Sequence, residues 1–218
     1  MQQDILEYRG RVPKRASSIQ RRNDLLQAAL ELIRKEGVRG VRHRAVAELA
    51  QVPLSATTYY FSDIDQLIVD SFVYFMQQNL NQQQQAFAEI IGLVVDEGSK
   101  KLNKQQLVEQ IKQILIQYIQ QQVSEVESRI IERSFLQYAT IEPSLAHKVN
   151  QIREYFEQNI AQILNLLGVR KPKEHALMVI ASIQYLEDKA ILTRQNKTPQ
   201  VDKKQVTVVV DKLLSGLS

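Results

Sequence analysis

The chain has no cysteine and no tryptophan, only three histidines, and few glycines (7) or prolines (5) among its 218 residues. Without cysteine there is no disulfide framework, no thiolate metal site and no cysteine nucleophile. The histidines, His43, His147 and His175, are not spaced as a metal pair on one helix turn, so no metal site is expected. So little glycine and proline argues against a sandwich or barrel built on many tight turns. No apolar run reaches the roughly 18 residues that a membrane span needs. The opening residues are polar and basic, unlike a secretory leader. No phosphate loop or nucleotide fingerprint is present, and an isolated Glu174-His175 pair cannot support catalysis. These absences predict a soluble, cytoplasmic protein that is not an enzyme and needs no cofactor.

What is present favours helix. Apolar residues make up 44% of the chain, enough for a core, and charged residues an ordinary 24%. Glutamine occurs 28 times, and with Leu, Ala, Glu, Lys and Arg it suits helices. The net charge of +4 is uneven: residues 1–62 carry 11 Lys and Arg against 6 Asp and Glu, and the remainder is close to neutral. A basic small part on a neutral large part points to a polyanion-binding module attached to a sensing or assembly body.

Residues 1–16, with Arg9, Arg11, Lys14 and Arg15, read as a flexible basic arm, either disordered or reaching the groove or backbone of a bound polyanion. Ser17 and Gln20 fit a capping box, opening a helix over about 18–35 whose apolar face is Leu25, Ala29, Leu32 and Ile33. Gly37 and Gly40 bracket its end. A short helix follows over about 44–50, interrupted near Pro53, which biases Val52 away from helix. A second short helix spans about 55–60, and Ser62 is expected to cap a long helix from Asp63. Two short helices joined by a tight turn behind a longer one form a helix-turn-helix pattern.

Beyond this the chain reads as helix after helix. Leu107, Ile111, Ile114, Leu115, Tyr118 and Ile119 fall at helical spacing, and a loop is expected near 93–103 at Gly92, Gly98 and Asn103. Pro143 and Pro172 look like first-turn prolines. Val206–Val210 prefers strand locally, yet helix is expected there, opened by Asp202 and Gln205, because no other strand exists to pair with it. The glutamine runs lie within helical periodicity and are read as exposed helix faces.

The stretch from Gly37 to Ile68 resembles the helix-turn-helix signature of the TetR family of bacterial transcriptional regulators. The matching points are Gly37, the Val46-Ala47 pair, Ala50, Val52, the run Thr58-Tyr59-Tyr60-Phe61 and the helix start over Ser62–Leu67; with the preceding helix they cover roughly residues 18–70. The chain departs from the family pattern at Gln51, where the turn usually has glycine, at Arg42, where a small hydroxyl residue usually caps, and at Thr58, usually aromatic. These departures bear on base preference and leave the scaffold intact.

The resemblance implies an all-α protein with a three-helix DNA-binding domain over 17–62 and a larger helical body over 63–218 for ligand binding and dimerisation. On the DNA side, Ser55, Ala56 and Thr57 are small enough for a helix entering the major groove, followed by Thr58. The Ala56 methyl suits a thymine methyl. Tyr59 and Tyr60 offer phenol groups to phosphates or rings to the core, and Phe61 is assigned to the core. Arg42, His43 and Arg44 cluster at a helix start, which favours phosphate. The aromatic and soft residues Tyr118, Phe135, Tyr138, Tyr155, Phe156 and Met178 are candidates to line an effector pocket, with plain core as the alternative for each. The dimer is expected through two terminal helices, about 173–194 and 202–217, using Ile180, Ile183, Leu186, Val206, Val209, Val210, Leu213 and Leu214, unless these close the monomer's core instead.

The implied function is a ligand-responsive regulator, by family habit a repressor. It would bind a palindromic operator as a homodimer and be released by a lipophilic or amphipathic effector. The competing reading is a helical adaptor whose basic N-terminus binds an acidic surface. It needs exposed bulky apolar residues flanked by Lys and Arg, and residues 18–36 carry an ordinary core stripe instead.

Overall fold

The computed structural model describes residues 6–95, 104–193 and 201–214, and every regular element among them is helical. The order is α1 (Ala16–Glu36), a 3-10 turn (Val38–Gly40), α2 (His43–Leu49), α3 (Leu54–Tyr60), α4 (Ile64–Val95), α5 (Lys104–Ser124), α6 (Val126–Ala139), α7 (Pro143–Leu166), α8 (Pro172–Leu192) and α9 (Lys203–Leu214). Pro143 and Pro172 open their helices as expected, and Val206–Val210 is helical. Gly92 lies inside α4, which runs on to Val95, while Gly98 and Asn103 lie outside the described residues.

Several helix starts differ from the sequence expectation. The Ser17–Gln20 capping box does not form: α1 starts at Ala16, and the Ser18 and Ile19 N–H groups both donate to the Arg15 carbonyl at 2.9 Å. Gln20 instead donates to Asp24 at 2.8 Å. The far end of α1 follows expectation. Gly37, at φ 74°, donates its N–H to the Ile33 carbonyl at 2.9 Å, a backbone region that a side chain would strain. At α4 the cap is Asp63 rather than Ser62. Its carboxylate accepts the Gln66 N–H at 2.7 Å and the Ser62 hydroxyl at 2.8 Å, and Gln66 accepts the Ser62 N–H at 2.8 Å. These donors, the Gln66 amide foremost, hold the Asp63 carboxyl below its ordinary value. At α9, Asp202 accepts the Lys204 and Gln205 N–H groups at 3.0 and 3.3 Å. The Gln205 side chain does not complete a box, because it accepts from Lys189 at 3.1 Å.

The chain divides into two compact units. The first takes the residues through Leu80 together with Glu127–Ile152. Here α2 packs on both α1 and α3. Leu25, Leu26, Ala29, Ile33, Val46, Phe61, Leu67, Val69 and Val73 are fully buried. The first half of α4 belongs to this unit, where Phe72 and Phe75 hold their ring centres 5.2 and 6.1 Å from that of Phe135 on α6.

The second unit takes Asn81–Val126 and the chain from Arg153 onward. Within it α5, α8 and α9 pack against one another. Ile119, Val123, Ala176, Leu186, Val206 and Val210 form part of one buried cluster. No described helix is long and apolar enough to cross a membrane.

Candidate nucleic-acid interface

The turn between α2 and α3 is built from backbone bonds alone. The Val52 N–H donates to the Ala47 carbonyl at 3.0 Å and the Gln51 N–H to the Glu48 carbonyl at 3.1 Å. This pair of bonds is the Schellman ending of a helix, which needs a left-handed residue at its centre. Gln51 supplies it at φ 55°, where glycine would be relaxed. Holding a side chain there costs about 1–2 kcal/mol, and the greater freedom of an unfolded glycine returns about 0.5–1 kcal/mol of that. Gln51→Gly is therefore expected to stabilise the protein by roughly 0.5 kcal/mol. A rise in the thermal midpoint checks this; a fall would contradict the left-handed turn.

Pro53 closes the turn and precedes α3, whose residues sort by their angle around the helix. At 100° per residue, Leu54, Ser55, Thr58 and Tyr59 share one side, and all four are exposed. Leu54 and Tyr59 are 50% and 52% exposed. Thr57 and Tyr60 face inward and are buried, and Ala56 is half-buried. The inward placement corrects the expectation for Thr57 and bears on the two readings of Tyr60. Thr57 was expected at the groove, but its hydroxyl donates to the Leu54 carbonyl at 2.7 Å inside the scaffold. Tyr60 falls on the core side of its two readings, with its ring edge-on to Tyr59 at 4.9 Å and tilted against Phe61 at 6.3 Å. The Thr58 hydroxyl also donates to its own helix, to the Ser55 carbonyl at 3.2 Å.

Arg42 and Arg44 are both exposed at the start of α2, and His43 between them is half-buried. Nothing local in the sequence marks Leu54 as outward-facing. An apolar residue after proline at a helix start resembles a buried one, and only the packing of α3 shows that it points outward.

The N-terminal segment differs most from its expectation. From Leu6 to Arg11 it is held against the first unit rather than free. Both Asp70 oxygens accept from it, Oδ1 from the Arg9 N–H at 2.7 Å and Oδ2 from the Gly10 N–H at 2.9 Å. Oδ2 also accepts from the buried Arg22 guanidinium at 2.6 Å. Burial pushes the Asp70 carboxyl up, and these three donors push it back. The Arg11 N–H donates to the Tyr60 carbonyl at 3.0 Å. The Arg22 guanidinium lies 3.9 Å from the centre of the Tyr8 ring, and the Tyr8 hydroxyl donates to Gln77.

The remaining candidates fall in both units. Phe135 and Tyr138 belong to the first; Tyr118, Tyr155, Phe156 and Met178 to the second. Phe135 is fully buried core, and Met178 is 55% exposed. Tyr155 and Phe156 are half-buried, with ring centres 5.5 Å apart. Tyr118 packs half-buried against the second core. Tyr138 is also half-buried, which raises its phenol above the ordinary value.

Of the terminal-helix candidates, Leu186, Val206 and Val210 close the core of the second unit, while Ile180, Ile183 and Val209 are half-buried. The side chains of Leu213 and Leu214 lie outside the described ones. The large apolar residues that α8 and α9 leave exposed are Leu177, Met178, Tyr185, Leu192 and Val208. Tyr185 and Val208 line an open cleft of about 360 Å³ together with Lys189 and Lys204.

No protein-family model and no curated protein matches the sequence. Solved structures do. A member of the TetR family from Streptomyces coelicolor superposes with a TM-score of 0.62 at 21% identity, over 88% of this chain and 97% of that one. A transcriptional regulator from Rhodococcus gives 0.62 at 16% identity, over 89% and 96%. The multidrug binding protein EbrR complexed with proflavin gives 0.55 at 22% identity, over 88% and 99%. Among the described residues the chain has the all-α fold of TetR-family transcriptional regulators, with the helix-turn-helix of α2 and α3 near its N-terminus.

Proposed function

We propose that this chain is a TetR-family transcriptional regulator that binds double-stranded DNA through α2, the turn and α3. The observation that carries this reading is the exposed side of α3. Leu54, Ser55, Thr58 and Tyr59 stand out from a buried scaffold, with Arg42 and Arg44 exposed at the start of α2. That surface lies in the stretch that holds the chain's positive excess. The outer side of α3 carries no Arg, Lys, Asn or Gln to grip a base in bidentate fashion. Base reading then rests on the Ser55 hydroxyl and on apolar contact, with Leu54 and the Thr58 methyl taking the place first given to the half-buried Ala56. The arginines and Tyr59 supply phosphate contacts, which position the protein without reading sequence.

The regulator acts as a homodimer on a palindromic operator, because two heads about one helical turn apart (~34 Å) double the contacts. Support comes from α8, which is apolar on both sides: Ala176, Leu186 and Ala190 point into its own core, while Leu177, Met178, Tyr185 and Leu192 remain outside. The described helices support a small lipophilic or amphipathic effector with half-buried aromatic residues, Tyr118, Tyr155 and Phe156. A protein of the same fold is complexed with proflavin. Effector binding releases a repressor from its operator only through differential affinity for the bound and released states. The site of action is the cytoplasm.

The test is Arg44→Ala. It is expected to weaken duplex binding about tenfold, uniformly across sequences, and to lower the salt slope by about 1. Unchanged affinity and slope in a well-folded variant would remove Arg44 from the interface.

A further inference from the structure

The N-terminal segment is fastened more firmly than a solvated basic tail requires, and its fastening ends beside the outer side of α3. The anchor is Asp70, fully buried, which receives the Arg9 and Gly10 backbone amides and the Arg22 guanidinium. Gly10 lies so close to this anchor that a Cβ would come within 2.8 Å of both Asp70 Oδ2 and the Tyr60 carbonyl oxygen. Only a residue without a side chain lets the segment reach Asp70 and α3 together. One residue on, the Arg11 amide is tied to the Tyr60 carbonyl. This places the Arg11 guanidinium 4.1 Å from the centre of the Tyr59 ring. Tyr59 is itself exposed on the outer side of α3, and Arg11 is exposed as well. Among the described residues no carboxylate pairs with Arg11. Between Tyr8 and Asn23 the sequence has no acidic residue, while Arg9, Arg11, Lys14 and Arg15 are exposed.

We infer that residues 8–11 form a strap, anchored on Asp70 and admitted by Gly10, that carries Arg11 on the Tyr59 ring as a DNA-contacting group directed at a backbone phosphate. This rests on the DNA-binding reading above. A guanidinium stacked on an aromatic ring keeps its N–H fork free at the edges, and a preorganised fork loses less freedom when it meets a phosphate. Arg11 is the contacting group. Gly10 and Asp70 are positioning residues that act through it.

The experiment measures duplex binding over a salt series for the full-length protein, Arg11→Ala, Gly10→Ala and the double variant, with thermal melting of each. Loss of one phosphate contact is expected to lower the slope of log K against log salt by about 0.9. Arg11→Ala should show that change with an unaltered melting midpoint. Gly10→Ala should show the same change although Arg11 is present. The double variant should lose no more than Arg11→Ala, because both act through one contact. If Gly10→Ala fails to fold, Arg11→Ala decides alone. Duplex binding by Arg11→Ala with the unaltered protein's slope and affinity overturns the strap and leaves the regulator reading standing. Failure of the unaltered protein to bind any duplex overturns both.

Discussion

Asp70→Ala is expected to destabilise the protein by about 3–5 kcal/mol, the usual consequence of leaving one member of a buried ion pair without its partner. Arg22 and Asp70 are 3% and 0% exposed at their side chains and meet at 2.6 Å. Removing the carboxylate leaves a buried guanidinium in an apolar setting. It also releases the Arg9 and Gly10 amides that Asp70 accepts. A large fall in the urea midpoint checks this, and a loss below about 1 kcal/mol would show that the pair is not sealed from water. Replacing both members, Arg22→Met with Asp70→Leu, should restore much of the stability, because paired burial itself contributes little net energy. The double variant would still lack the anchor that holds the N-terminal segment.

Tyr60→Ala should cost a comparable amount, about 3–5 kcal/mol for a large aromatic side chain deleted from a core. Tyr60 is 3% exposed and packs its ring against Tyr59 and Phe61. Tyr60→Phe keeps the ring and removes only the phenol hydroxyl, so it is expected to leave duplex affinity within about twofold of the unaltered protein, well under the tenfold of one 1.4 kcal/mol contact. Melting and binding measured together separate these outcomes. If Tyr60→Phe bound duplex tenfold more weakly at full stability, the hydroxyl would be a DNA contact, and the assignment of Tyr60 to the scaffold would fail.

The pattern of burial explains what was legible in the sequence. Helices with one apolar stripe, such as α1 with Leu25, Ala29 and Ile33, announce both their existence and their inner side. Gly37, Pro143 and Pro172 mark boundaries because their backbone chemistry permits little else. Val206–Val210 is helical against its local preference because Val206 and Val210, one helical turn apart, both reach the core.

What stayed hidden depends on partners far away in the chain, or on helices too short or too apolar to show a side. Asp70 sits in the run Leu67–Phe75, and nothing local says that its partner is 48 residues away. The seven residues of α3 make barely two turns, so small polar Thr57 reads as well outward as inward until neighbouring helices fix it. In α8 apolar residues occur on both sides, and the sequence selects the inner ones as readily as the outer. The cap of α4 shifted by one residue, from Ser62 to Asp63, because adjacent groups can serve the same orphan amides, while α1 starts without a side-chain cap.

The most direct test of the central claim is binding of the purified full-length protein to a duplex from upstream of its own gene, against a random duplex of equal length, across a salt series. The account predicts selective binding to the upstream duplex, falling steeply with salt at a slope that reports several phosphates engaged. Weak binding that is equal on both duplexes would contradict it, reducing the basic head to nonspecific electrostatics.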